Sequence, residues 1–251
     1  MANLFSADTT YGTRAKLGLI VPPTNTVNEA EWQTMVPEGV TFHVARMPLH
    51  ADTSSAEGKK ALYLDIEKST EDLAQAGLSV IAYGCTAGSM VQPLDQLDNF
   101  MSDVSGIPCV TTAGSIVGAL NALKVKKISI ATPYHEALNN HEVEFLAGNG
   151  FETLQISGLG IGVAGPHEYI EIARTQINKI KAHILSVDHT DAEAILVSCT
   201  DFPSLSLIPE IEEELGKPVI SSNQATFWAA LRAAGIKDYF HDFGILLTDH
   251  I

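Results

Sequence analysis

Positive charge is what this chain of 251 residues lacks most: 15 Lys and Arg stand against 30 Asp and Glu, a formal net charge of −15. Phosphate binding needs a basic surface and the counterion release it brings, so nucleic acid is excluded as a partner and an anionic membrane surface is disfavoured. No apolar run approaches the roughly 18–20 residues of a membrane span. The stretch Met1 to Thr13 has neither the basic nor the apolar region of a signal peptide, which predicts a cytoplasmic protein. Cysteine is also scarce. Three residues, an odd number, build no disulfide framework. There is no CxxC and no HExxH, and the nine histidines are scattered, so no metal is expected.

What is present is an ordinary globular composition, 45% apolar and 18% charged, without low-complexity segments. The pattern alternates strand and helix. Ala15 to Val21 reads as a strand that stops at Pro22-Pro23, and Thr24-Asn25-Thr26 offers turn and cap residues before a helix from Val27 to Met35. A strand over Thr41 to Met47, a helix over Ser54 to Ala76 and a buried strand over Leu78 to Gly84 lead to Cys85. A short helix and loop (Gly88 to Asp103), a strand (Pro108 to Thr111) and a small-residue helix (Ala113 to Leu123) complete the first half.

The second half repeats the first. Lys127 to Tyr134 is again a strand carrying a proline near its end, followed by a helix over His135 to Gly148 and a strand over Glu152 to Ile156. A long helix is expected over Pro166 to Ser186, proline being permitted in a first turn. Ala192 to Ser198 then delivers Cys199, Lys217 to Ile220 echoes Ile107 to Val110, and Gln224 to Ala234 echoes Ala113 to Leu123. Four markers, in one order and at offsets of 110 to 114, point to an internal duplication. Continuous apolar strands between helices imply parallel sheets covered on both faces, an α/β fold of two similar lobes. Ligands of such sheets bind beyond the carboxyl ends of the strands. That places the loops at Asn25, Cys85, Tyr134 and Cys199 around one cleft.

Two thiols in matched positions are a catalytic pattern. At a junction between strand and helix, unpaired N–H groups and the helix dipole are expected to lower a thiol pKa. Two such thiols can pass a proton across a carbon, or one can add to an activated double bond while the other handles the proton. Either route needs donors for carboxylate charge, and Asn25, Thr86, Tyr134, Thr200 and loop N–H groups supply them without a cofactor. Cys109, inside a strand, reads as a packing residue. His135 and His141 read as helix surface, and the acidic run Glu210 to Glu214 as a solvated face.

The stretch Gly18-Leu19-Ile20-Val21-Pro22-Pro23-Thr24-Asn25-Thr26, with Glu29 and Glu31 after it, resembles the opening motif of bacterial maleate cis/trans isomerases, in the aspartate/glutamate racemase superfamily. Ala131-Thr132-Pro133-Tyr134 and both cysteine motifs match that group too, so the resemblance runs from Ala15 onward. It implies two pseudo-symmetric lobes, each a four-stranded parallel sheet: residues 1–112 completed by 223–251, and residues 113–222. It also implies a cofactor-free isomerase in which Cys85 attacks maleate, Cys199 handles the proton, and Asn25 and Tyr134 grip the carboxylates, with Thr86, Ala87, Thr200 and Asp201 beside them. The partner would be a small carboxylate, and a homo-oligomer is compatible with this reading.

Other features resemble neighbouring enzymes. Cys199-Thr200-Asp201-Phe202-Pro203 is similar to the second cysteine motif of amino-acid racemases, which leaves a two-cysteine amino-acid or hydantoin racemase open. Gly158 to Gly162 and Phe227 to Arg232 resemble arylmalonate decarboxylases, but those keep only the second cysteine, so Cys85 argues against decarboxylation. A two-lobed binding protein without turnover is the non-enzymatic alternative.

Overall fold

The computed structural model describes residues 9–50 and 55–249. The expected helix start at Ser54 and most of the stretch Met1 to Thr13 lie outside them. The first half runs β1 (Ala15–Val21), α1 (Asn28–Met35), β2 (Val40–Arg46), α2 (Ala56–Ala74), β3 (Val80–Tyr83), α3 (Thr86–Ser89), α4 (Gln96–Ser105), β4 (Cys109–Thr111) and α5 (Thr112–Ala122). Side chains set several of these starts. Ser55 Oγ accepts from Gly58 N at 3.0 Å to cap α2, and Thr111 Oγ1 accepts from Gly114 N at 3.2 Å to cap α5.

The second half runs β5 (Lys127–Tyr134), α6 (Glu136–Gly148), β6 (Glu152–Ile161), a 3₁₀ turn (Pro166–Tyr169), α7 (Ile170–Ala173), α8 (Ile177–Ser186), β7 (Ala194–Val197), a second 3₁₀ turn (Leu205–Leu207), α9 (Ile208–Leu215), β8 (Val219–Ser221), α10 (Ser222–Ala233) and α11 (Ile245–Asp249). The chain forms two four-stranded sheets, ordered β2-β1-β3-β4 and β6-β5-β7-β8, with every pair parallel. The strand order is the same in both, as an internal duplication requires. In each sheet the connections diverge to opposite sides of the first strand, so the crevice opens between β1 and β3 and between β5 and β7. Pro22 and Cys85 leave the first crevice; Tyr134 and Cys199 leave the second.

Helices that follow the fourth strands cross between the sheets. α5 buries Ala113, Ile116 and Leu120 in one cluster with Ile128, Ile130, Leu196 and Ile220 of the second sheet. α10, opened by a reciprocal Ser221–Gln224 capping box, packs on α1, β3 and β4 of the first sheet. There Trp32 and Phe227 meet edge to face at 5.2 Å between centroids. Both are fully buried, and burial of each large side chain contributes roughly 1.5–3 kcal/mol.

Three expectations need correction. The single helix over Pro166 to Ser186 is broken: Gln176 turns extended (φ −64°, ψ 138°) and Thr175 Oγ1 bonds back to Glu171 O at 3.2 Å, ending α7 before α8 begins. β6 continues to Ile161, past the expected Ile156. The acidic run is not all solvated, because Glu212 turns inward on α9 and accepts from Val219 N and Ile245 N, each at 2.9 Å. Glu210 and Glu214 remain outside and pair with Lys181.

Candidate active site

The carboxyl ends of the two sheets enclose a cleft of about 160 Å³. Cys85 stands two residues past β3, at the N-cap of α3, half-buried. Cys199 stands past β7, buried, with φ at +131°, a left-handed value that a non-glycine residue holds only under strain. All eight residues singled out from the sequence border this cleft. Asn25, Thr86, Ala87 and Cys85 come from the first sheet's loops; Tyr134, Cys199, Thr200 and Asp201 come from the second.

The expected depression of the thiol pKa values is not found. Burial pushes the Cys85 thiol up, against hydrogen bonds from Gly88 N–H and the Tyr83 hydroxyl that pull it down. Burial raises Cys199 as well, with the Asp201 charge adding to it and the Tyr134 hydroxyl opposing. A local reason separates the two sites. Cys85 heads a helical turn, whereas Cys199 is followed by a turn and then a 3₁₀ segment. Its neighbour Asp201 N donates to Sγ at 3.4 Å instead.

Several expected donors are already engaged. Asn25 Oδ1 accepts from Val27 N (3.1 Å) and Asn28 N (3.0 Å), opening α1, while its Nδ2 donates to Thr200 Oγ1 at 3.0 Å. Thr200 Oγ1 donates to Gly84 O, and Thr86 Oγ1 donates to Ser222 Oγ, both at 3.0 Å. Ser222 Oγ also accepts from Cys199 N at 3.0 Å, so one hydroxyl ties the two cysteine loops together. The donors left for an anion are the first-turn N–H groups of Thr86 and Ala87, which have no helical acceptor, the second N–H of Asn25 Nδ2, and the Tyr169 hydroxyl. Among the described residues no Lys or Arg borders the cleft.

Asp201 is 6% exposed and its Oδ1 accepts from Thr26 N at 2.9 Å, reaching from the second lobe to the start of α1. Burial raises its pKa to about 6, with the Thr26 and Val27 N–H groups and Arg46 opposing. Its Oδ2 is buried without a partner among the described residues. Glu31, part of the opening motif, spans the same boundary. It accepts from Ser204 N, Leu205 N and Asn223 Nδ2.

Five residues at or beside the cleft escaped the sequence reading: Tyr83, Tyr169, Ser222, His50 and His141. Tyr169 lies close enough to both thiols for each to raise its pKa, although burial is the larger cause. His50 bonds Asp65 Oδ2 through Nε2 at 2.8 Å. His141, expected only as helix surface, is exposed and yet borders the mouth of the cleft. A sequence signal existed for Tyr83, which precedes Cys85 by two residues at the end of the same apolar run. None existed for the others. Among the described residues no three His, Cys, Asp or Glu side chains group in a way that could hold a metal ion.

The family model described as arylmalonate decarboxylase matches residues 17–247. A maleate isomerase of Geobacillus stearothermophilus is 26% identical over 250 residues, covering 93% of this chain and 97% of that one. An arylmalonate decarboxylase of Bordetella bronchiseptica is 28% identical over 222 residues, covering 87% and 90%. Among solved structures, a cysteine-to-serine mutant of the Nocardia farcinica maleate cis-trans isomerase, carrying a covalently bound succinylcysteine intermediate, superposes with a TM-score of 0.83. Its identity is 26%, over 94% of this chain and 99% of that one.

Proposed function

From the premise that the chain belongs to the arylmalonate decarboxylase family, we propose that it is a cofactor-independent isomerase of a small carboxylate, converting maleate to fumarate. The observation that carries the proposal is the pair of thiols, Cys85 and Cys199, at matched ends of the two sheets on one cleft. Maleate isomerases match nearly the whole chain, and the Nocardia farcinica enzyme's succinylcysteine intermediate fits the same chemistry. Residues 1–112 with 223–251 form one lobe in this reading and residues 113–222 the other.

Cys85, less buried and held by two donors, is the nucleophile. Its thiolate adds to one alkene carbon, and the electron pair moves through the other alkene carbon towards the carboxylate, whose charge the Thr86 and Ala87 N–H groups receive. Cys199, kept as a thiol by its burial, gives its proton to that second carbon and leaves a succinyl thioether on Cys85. Rotation about the new single bond follows. Cys199 then takes a proton back from the same carbon, the C–S bond breaks, and fumarate leaves with no net change in the enzyme. Tyr134 holds Cys199 in line through its hydroxyl. The site lies in an acidic protein, so the chain depends on these few oriented donors to hold a dianion.

Asp201 favours a second reading, a racemase using the same two thiols, since a buried carboxylate on the cleft wall suits a substrate ammonium. Proton NMR in deuterated buffer separates the two. Maleate converting to fumarate supports the isomerase, and deuterium uptake at the α-carbon of an amino acid supports the racemase. Cys85→Ser and Cys199→Ser should each abolish conversion; full activity in either variant sinks the two-thiol mechanism.

A further inference from the structure

Burial alone leaves Cys85 as a thiol, yet a thiol is a poor nucleophile. Two groups beside it oppose that burial, the Gly88 N–H and the hydroxyl of Tyr83. Thr86, the hydroxyl nearest in sequence, is committed to Ser222. Tyr83 ends β3, is 2% exposed, and borders the cleft with its ring held in a cluster of Ile20, Leu62, Ile81 and Leu97. The position is bought by a missing side chain: a Cβ on Gly88 would lie 2.5 Å from Tyr83 Oη and 3.0 Å from Cys85 Sγ. Glycine at 88 is therefore what admits the hydroxyl between the strand end and the helical turn.

We propose that Tyr83 is the positioning residue that makes Cys85 the nucleophile, its O–H donating to Sγ through the gap left by Gly88. Removing the donor leaves a buried sulfur with one N–H and shifts its equilibrium towards the thiol. The arrangement sets the two thiols apart, because Tyr134 serves Cys199 against the added charge of Asp201 whereas Tyr83 serves Cys85 with no carboxylate among its perturbing neighbours. Cys199, Tyr134 and Tyr169 are the titratable groups coupled to Cys85 across the cleft, and His50, His141 and Asp201 border the same space.

The catalytic consequence rests on the isomerase reading, but the hydrogen bond is tested without turnover. Alkylation by iodoacetamide is followed against pH by mass spectrometry of the peptide carrying Cys85, in the wild type, Tyr83→Phe and Gly88→Ala. Tyr83→Phe keeps the ring and its packing, and should move the midpoint of the profile up by about one unit, a roughly tenfold slower reaction below the midpoint. Gly88→Ala should move it the same way by displacing the hydroxyl. If maleate is turned over, Tyr83→Phe lowers kcat by a similar factor with little change in KM. A Tyr83→Phe alkylation profile that superposes on the wild type overturns the proposal, whatever Gly88→Ala does. Absence of maleate turnover with a shifted profile defeats the isomerase reading and leaves the assignment of Tyr83 standing.

Discussion

Glu31→Ala should destabilise the protein by roughly 3–9 kcal/mol, because each buried donor left without an acceptor costs about 1–3 kcal/mol. Three donors depend on this one carboxylate: Ser204 N at 2.8 Å and Leu205 N at 2.9 Å on Oε1, and Asn223 Nδ2 at 2.7 Å on Oε2. Glu31 is 8% exposed, so water cannot replace it without opening the boundary between α1 and the second lobe. Glu31→Gln separates acceptor geometry from loss of the side chain. Its Oε1 keeps both backbone donors, but its amide NH₂ meets the NH₂ of Asn223. Asn223 can present its own oxygen, which has no partner among the described residues, only by giving up its 3.0 Å bond to Thr200 O. One lost bond of this kind costs about 1–2 kcal/mol. Urea unfolding followed by tryptophan fluorescence measures both variants, with m unchanged if the unfolded state is the same. An alanine variant within about 1 kcal/mol of the wild type, or a glutamine variant as damaged as the alanine one, would refute the idea that Glu31 ties the two lobes.

Glu142 is fully buried on α6, neither carboxylate oxygen has a partner by geometry among the described residues, and burial raises its pKa to about 7. Between the usual glutamate value and about 7 the folded chain holds a proton that the unfolded chain has released, so stability should fall as pH rises through that window, by up to ~3 kcal/mol above pH 7. Glu142→Gln should flatten this dependence and be the more stable protein at pH 8; parallel urea curves for the two proteins across pH 5 to 8 would contradict it. Asp201→Asn keeps the acceptor for Thr26 N but removes a charge beside Cys199. Its KM for maleate should drop several-fold at pH 8 and change little at pH 5, where the wild-type carboxyl, at about 6, is already neutral. An equal KM ratio at both pH values would show that the Asp201 charge does not reach the substrate.

The strands were legible because their signals are local. Apolar runs stop at Pro22, Gly84 and Pro133, and the duplicated markers put Cys85 and Cys199 at equivalent strand ends, where both sheets do end. The break before α8 was not legible, since no Pro or Gly stands between His167 and Ser186 to mark it. The state of the thiols was misjudged for a physical reason. A helix N-terminus is a local effect read from the next few residues, whereas desolvation is set by everything that closes over the sulfur. The engagement of the donors was hidden likewise: Asn25 Nδ2 gives one of its two N–H groups to Thr200 Oγ1, and that partner lies 175 positions away. Asp201 lies on the cleft wall, and the contact of its Oδ1 with Thr26 N, just before α1, was hidden by the same distance in sequence.

The two halves are alike in strand order and unlike in what surrounds each sulfur, and that difference suits an addition–elimination better than a symmetric proton exchange. Two identical bases on opposite faces of a carbon would call for matched pKa values, so that either thiol could start. Here burial and the Asp201 charge both push the Cys199 thiol up, which in the proposed reaction keeps its proton in place until a stronger base appears. The carbon that gains electron density when Cys85 adds is such a base. In the proposed reaction direction is thereby built into the cleft: the half-buried sulfur attacks, and the buried one answers with its proton.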